Sequence, residues 1–257
     1  MKVAIIQHSI KENELEWNFR HLEGLIDQQA GADLYVLSET FATGFLAEGT
    51  TAQARVQSRQ IVGWMQQQAY RMDAAIAGSV ATVDDEDMLR NRLFFVRPDG
   101  SYDYYDKRHL FSYAGENKEY VAGNRRVVIE WRGVRFLLQI CYDLRFPVFS
   151  RNRNDYDAII YVANWPAKRR DSWKILLKAR AIENQCFVIG VNIVGSDKAC
   201  EYVGDSAIIN AYGQMIASCT PGMVGTAAAV FDMEALLHFR EKFPVLKDSD
   251  DIEQYLR

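Results

Sequence analysis

The chain has 257 residues, 49% hydrophobic and 25% charged, with a formal net charge of −4. That composition is globular and excludes a disordered chain, and the acidic balance offers no basic footprint for nucleic acid or an anionic membrane surface. No apolar run reaches the roughly 18 residues of a membrane span, and the apolar start from Met1 to Ile6 is too short for a signal peptide.

Cys141, Cys186, Cys200 and Cys219 form no Cys-x-x-Cys pair, and His8, His21, His109 and His238 lack metal-type spacing. No metal and no cofactor is therefore expected, and free thiols fit a reducing cytoplasm.

Taken in order, Lys2 to Gln7 reads as a buried first strand. A helical stripe follows at Leu15, Phe19, Leu22 and Ile26, with Gly31 expected as the residue after its end. Leu34 to Leu37 is a second buried strand ending at Ser38-Glu39, and strand–helix–strand with short links implies a parallel pair. Thr43-Gly44-Phe45 reads as a turn. Residues from about Ala52 to Met72 are expected to be helical, with Val56, Trp64, Met65 and Ala69 inward. Ala74 to Val83 is a further strand, followed by an acidic turn at 84–87.

Arg92 to Tyr105 is expected to be a hairpin turning at Arg97-Pro98-Asp99-Gly100, and Ala207 to Ala217 repeats that plan, which suggests a two-fold layered arrangement. Val127–Glu130 and Val134–Ile140 pair across Arg132-Gly133, and Ala158 to Ala163 is a six-residue buried strand ending at Asn164. Ser172 to Asn184 reads as a helix with Asp171 or Ser172 as its N-cap and Ile175, Leu176, Ala179 and Ile182 inward. Glu183 fits a structural ion pair, and Cys186 begins another core strand. From Glu234 the chain combines a short helix with an extension from about residue 240. There Pro244-Val245-Leu246 reads as a surface tail or a contact with a partner subunit. No linker divides the chain, so residues 1–257 are expected to be one domain.

Three ionisable residues directly follow strands: Glu39, Lys107 and Cys141. Separately they describe a solvated carboxylate, a basic cluster and a small buried thiol; together they are a base, a cation and a nucleophile. A helix start or nearby cation at Cys141 would lower its pKa and supply thiolate near neutral pH. Asn164 is a polar residue at a fourth strand end, where ligands of α/β folds collect.

Ser38-Glu39-Thr40-Phe41, Asp106-Lys107-Arg108-His109-Leu110-Phe111 and Cys141-Tyr142-Asp143-Leu144-Arg145-Phe146-Pro147 resemble, in order, the three signature segments of the nitrilase superfamily of carbon–nitrogen hydrolases. Arg180-Ala181-Ile182-Glu183-Asn184 also resembles a helix segment of that family. The Cys-Tyr-Asp-Leu-Arg-Phe-Pro form is most similar to the omega-amidase branch, which hydrolyses the terminal amide of alpha-ketoglutaramate or alpha-ketosuccinamate.

The resemblance implies an α/β fold, the four-layer αββα sandwich, and homodimers. It also implies Glu39 as general base, Lys107 as transition-state cation, Cys141 as nucleophile and the backbone N–H of Tyr142 as oxyanion donor. Glu116 falls where the family carries a second glutamate, with Glu119 three residues away. Arg145 suits a substrate carboxylate through its planar fork, or a structural ion pair with an aspartate. Some omega-amidases carry a Thr-containing loop after the strand that ends here at Asn164. This chain has Trp165-Pro166-Ala167-Lys168-Arg169-Arg170 instead, which leaves the rest of the clamp open.

The expected partner is thus a small-molecule amide. The rival readings are another amidase of the superfamily (deaminated glutathione-type, aliphatic or N-carbamoyl), a nitrilase, and a catalytically idle interaction protein on the same fold. A serine hydrolase would need Gly-x-Ser-x-Gly and a nucleotide-binding module Gly-x-Gly-x-x-Gly; the chain has neither.

Overall fold

The computed structural model describes residues 1–45 and 50–250. The first half runs β1 (Lys2–Gln7), α1 (Leu15–Asp27), β2 (Leu34–Val36), α2 (Thr50–Met72), β3 (Ala75–Val83), β4 (Leu89–Val96), β5 (Tyr102–Asp106) and the single turn α3 (Glu116–Glu119). The second runs β6 (Val128–Trp131), β7 (Val134–Ile140), α4 (Pro147–Ser150), β8 (Ala158–Ala163), α5 (Arg170–Glu183), β9 (Phe187–Asn192), β10 (Val194–Ser196), β11 (Glu201–Val203), β12 (Ala207–Ile209), β13 (Met215–Ser218), β14 (Gly225–Val230) and α6 (Met233–Lys242).

These strands build two six-stranded sheets, β14-β1-β2-β3-β4-β5 and β13-β12-β9-β8-β7-β6, with β10 and β11 forming a separate hairpin. In each sheet three parallel strands are flanked by antiparallel ones: β1, β2 and β3 in the first, β7, β8 and β9 in the second. The two-fold layered plan expected from the hairpins is therefore present, and β2 and β8 occupy equivalent central places.

Alternation along the strands explains the layers, because successive side chains of a strand face opposite ways. Val3 and Ile5 meet Phe136, Leu138 and Ile140 between the sheets, while Ala4 and Ile6 face Phe19, Leu22 and Ile26 of α1 and Trp64 and Met65 of α2. Leu137, Ile159 and Tyr161 face Trp173 and Leu177 of α5. Strands covered on both faces read as unbroken apolar runs, which is why β1 and β8 match their expected bounds. Full burial of one such Ile, Leu or Phe contributes about 1.5–3 kcal/mol. The result is the αββα sandwich.

The helices depart from expectation in detail. Val56 is 73% exposed, on the side of α2 opposite the buried stripe of Ala54, Ile61, Met65 and Ala69. On α5, Ile175 and Ile182 are exposed, and the inward residues are Trp173, Leu177, Arg180 and Ala181. Both stripes of α5 are apolar, and the larger Trp173 takes the core. The helix also begins earlier than expected: neither Asp171 nor Ser172 is its N-cap, and the Ser172 hydroxyl instead donates to the Arg169 carbonyl at 2.8 Å. Gly31 lies beyond the end of α1, in the turn into β2, at φ +79°. Leu246 is buried within the chain rather than standing on a surface tail, and the extension's last residues, 251–257, lie outside the described residues.

Candidate active site

At one end of the sandwich the chain leaves β2, β5 and β7 and delivers Glu39, Lys107 and Cys141 to a common centre. Glu39 is 1% exposed and Lys107 1% exposed, so neither of the bland surface readings holds. The Lys107 Nζ donates to Glu39 Oε1 at 2.8 Å and to both oxygens of Glu116, at 3.0 and 2.9 Å. Glu116 is buried at the start of α3 and also accepts the backbone N–H of Phe111 at 2.5 Å, whereas Glu119 is exposed. Of the two glutamates, Glu116 is therefore the one that sits at this centre.

Cys141 opens a short helical turn, Cys141–Arg145, with φ +45°, a conformation uncommon for any residue but glycine. Asp143 holds that turn. Its Oδ2 accepts the N–H of Ile140 at 2.9 Å and the hydroxyl of Tyr105 at 2.8 Å; its Oδ1 accepts the N–H of His109 at 3.0 Å and lies 2.7 Å from His109 Nδ1. Tyr105 and His109 bracket Lys107, so one buried carboxylate registers the Cys141 segment against the Lys107 segment. Tyr142 follows Cys141 in the first turn, where backbone N–H groups lack intrahelical partners.

The electrostatics correct one expectation. Burial, and then the Glu39 carboxylate, push the Cys141 thiol well above its ordinary pKa, and the Lys107 ammonium only partly offsets them. The resting group is a thiol, not a standing thiolate, and it needs a base. For Lys107 burial acts downward, but Glu116 and Glu39 outweigh it and hold the amine well above its ordinary value, fully protonated.

Asn164 is buried at the end of β8. Its backbone N–H donates to Glu39 Oε2 at 2.9 Å and its side chain to Thr40 Oγ1 at 3.0 Å. The equivalent ends of β2 and β8 therefore meet directly. Asn164 also borders a cleft of about 400 Å³ lined by Phe45, Ile193, Lys198 and Tyr202.

Arg145 is half-buried. Among the described residues it donates to Ser172 Oγ at 3.1 Å and lies 5.0 Å over the Trp165 ring; no aspartate is among these contacts. Of the basic residues in the loop after Asn164, Arg170 is paired with Asp205, Lys168 is exposed, and Arg169 lies over Phe111 and Tyr113. Glu183 pairs with Arg180 at 2.8 Å, as expected.

Sequence reasoning missed Asn91 and gave Asp143 no role. Asn91, on β4 and 1% exposed, donates from Nδ2 to Glu39 Oε1 at 2.8 Å and to Glu116 Oε1 at 3.2 Å. Its one visible signal was an amide facing inward in the strand Leu89–Val96.

A half-buried thiol stands beside a carboxylate and an ammonium at the strand ends of an αββα sandwich, and a sequence model of the carbon–nitrogen hydrolase family matches residues 2–240, so the chain belongs to that family of hydrolases. The chain is 45% identical over 252 residues to omega-amidase YafV of Escherichia coli, covering 98% of this chain and 97% of that protein. It is 33% identical over 251 residues to a 2-oxoglutaramate amidase of Bacillus subtilis, covering 96% of each. A crystal structure of a CN-hydrolase superfamily protein from Xanthomonas campestris, with an arsenic adduct in its active site, superposes with a TM-score of 0.93 at 39% identity, covering 98% and 97% of the two chains.

Proposed function

We propose that this protein is an omega-amidase that hydrolyses the terminal amide of a short keto diacid, alpha-ketoglutaramate or alpha-ketosuccinamate, to the acid and ammonia. The observation that carries the chemistry is the Lys107 ammonium, held between Glu39 and Glu116 beside a thiol that only a base can activate. Support for the substrate class comes from the two relatives named for such activity and from the Arg145 guanidinium four residues beyond the nucleophile.

In this mechanism Glu39 takes the Cys141 proton and the sulfur attacks the amide carbon. The oxyanion is met by Lys107 and the Tyr142 N–H; one preorganised donor of this kind is typically worth about 10²–10³ in turnover. Glu39 then gives its proton to the departing nitrogen, ammonia leaves, and a thioester remains. Water that surrenders a proton to Glu39 attacks the thioester, releasing the acid and restoring the thiol. One carboxyl group serves as base and then acid in each half-reaction, while Glu116 anchors the lysine.

Arg145 binds the substrate's far carboxylate, and Asn164 lines its path. The test is ammonia release across keto-acid amides, aliphatic amides, dipeptide-like amides, N-carbamoyl compounds and nitriles, for the wild-type protein and Arg145→Lys. The keto-acid amides should be fastest, and the variant should lose selectively on them. Equal losses on neutral and carboxylate-bearing amides would make Arg145 structural, and preference for another class would replace the substrate assignment.

Among the described residues no helix is long and apolar enough to cross a membrane. The four unpaired cysteines support a reducing cytoplasm as the working compartment; secretion of the protein in a fractionation experiment would remove that reading. Homodimer formation is likewise proposed, supported by Ile175 and Ile182 left exposed on α5; a monomer mass by light scattering would contradict it.

A further inference from the structure

The centre holds more negative than positive charge. Glu39 and Glu116 share one ammonium, that of Lys107, and all three are sealed from solvent. What else meets them is Asn91. Its Nδ2 lies within hydrogen-bond distance of one oxygen of each, and its backbone carbonyl accepts the Lys107 N–H at 2.9 Å. The orientation of the amide follows from chemistry: an ionised carboxylate oxygen only accepts, so the nitrogen must face both.

The contacts divide the two oxygens of Glu39. Oε1 receives Lys107 Nζ and Asn91 Nδ2, while among the described residues Oε2 receives the Asn164 N–H at 2.9 Å, and the Cys141 thiol is hydrogen-bonded to the same carboxylate. Oε2 therefore keeps a lone pair for the thiol. We propose that Asn91 is a positioning residue that ties one oxygen of Glu39 to one of Glu116 and turns Glu39 so that Oε2 receives the Cys141 proton. The S–H bond breaks as the O–H bond forms on Oε2, and no other group exchanges a proton. The inference rests on the amidase reading above and assigns the working atom of its base. The titratable groups facing Glu39 are Lys107 after β5, Glu116 and Tyr120 on and after α3, Cys141 after β7, and Tyr202 on β11.

Three variants test it: Asn91→Leu, which removes both N–H groups, Asn91→Ser, which keeps a single donor, and Asn91→Asp, which adds a third carboxylate. Two pH profiles are recorded for each: kcat/KM on an amide the wild-type protein hydrolyses, and single-hit alkylation of Cys141 by iodoacetamide, located by peptide mass spectrometry. The expected result is an acid limb moved upward by about one pH unit or more in Asn91→Leu, less in Asn91→Ser and further in Asn91→Asp. Activity of Asn91→Leu should recover toward the wild-type plateau at high pH. An acid limb that stays in place while kcat falls at every pH would mark Asn91 as merely structural and overturn the proposal. If no amide is hydrolysed the amidase reading fails separately, and the alkylation profile still decides the role of Asn91.

Discussion

His8 follows β1, is fully buried, and places its Nε2 3.0 Å from the carbonyl of Phe41, two residues past Glu39. A carbonyl there makes Nε2 the protonated nitrogen of a neutral ring. Burial, opposed by the contacts with Phe41 and Ile6 and reinforced by His21, lowers its pKa from 6.5 to about 4. Between those two values the unfolded chain binds more protons than the folded one, so stability rises with pH. The contribution is complete above pH 6.5 and is lost as the pH falls toward 4. At about 1.36 kcal/mol per pH unit it amounts to about 3 kcal/mol in full, of which about 2 kcal/mol disappears between about pH 7.5 and 5.

The variant His8→Gln keeps an N–H donor for Phe41 and cannot titrate, so the difference between the two proteins isolates this residue. Urea unfolding followed by tryptophan fluorescence should show the wild-type midpoint falling relative to the variant's by about 0.7 M over that interval, for a slope of about 3 kcal/mol/M. Parallel stability–pH curves for the two proteins would refute the reasoning. Because Phe41 belongs to the segment that carries Glu39, the same protonation should loosen Glu39 before the whole fold gives way.

Replacing Cys141 by Ala should lower amide hydrolysis by about 10³-fold or more while the unfolding midpoint moves by less than about 1 kcal/mol in equivalent stability; retained turnover would remove the thioester route. Tyr105→Phe deletes the hydroxyl that donates to Asp143 and accepts the Arg108 N–H, and should cost about 1.5–3 kcal/mol of stability. It should also lower kcat by up to about 10²-fold through misplacement of Cys141 against Lys107. Unfolding curves and initial rates check both parts, and a kcat left at the wild-type value would confine Asp143 to holding the fold.

Much of the fold was legible because its strands are buried on both faces. Lys2–Gln7 and Ala158–Ala163 appear as uninterrupted apolar runs, and turn chemistry marked the hairpins at Arg97–Gly100 and Arg132-Gly133. The strand Gly225–Val230 escaped because its alanines and threonine carry little apolar signal; its place comes from pairing with β1. On α5 two apolar stripes compete, and only the shape of the opposing sheet selects Trp173 over Ile175.

The site divides in the same way. Glu39, Lys107 and Cys141 were visible as charged or reactive groups abutting apolar runs. Asn91 was not, since an amide in a hairpin strand acquires meaning only when two carboxylates from distant segments close on it. The state of the thiol was also hidden: a sequence displays the neighbouring cation, but not the enclosure and the carboxylate that outweigh it.

Glu39, Asn91 and Lys107 belong to segments of the first sheet, whereas Cys141 and Asn164 belong to the second. Under the proposed mechanism turnover is therefore a gauge of the seam between the sheets. A substitution deep between them, at the Phe95–Phe136 contact for instance, shifts two halves of one reaction relative to each other while every strand keeps its partners. Rate becomes the most sensitive reporter of sheet registry in this molecule, and it registers slippage too small to change the folded fraction.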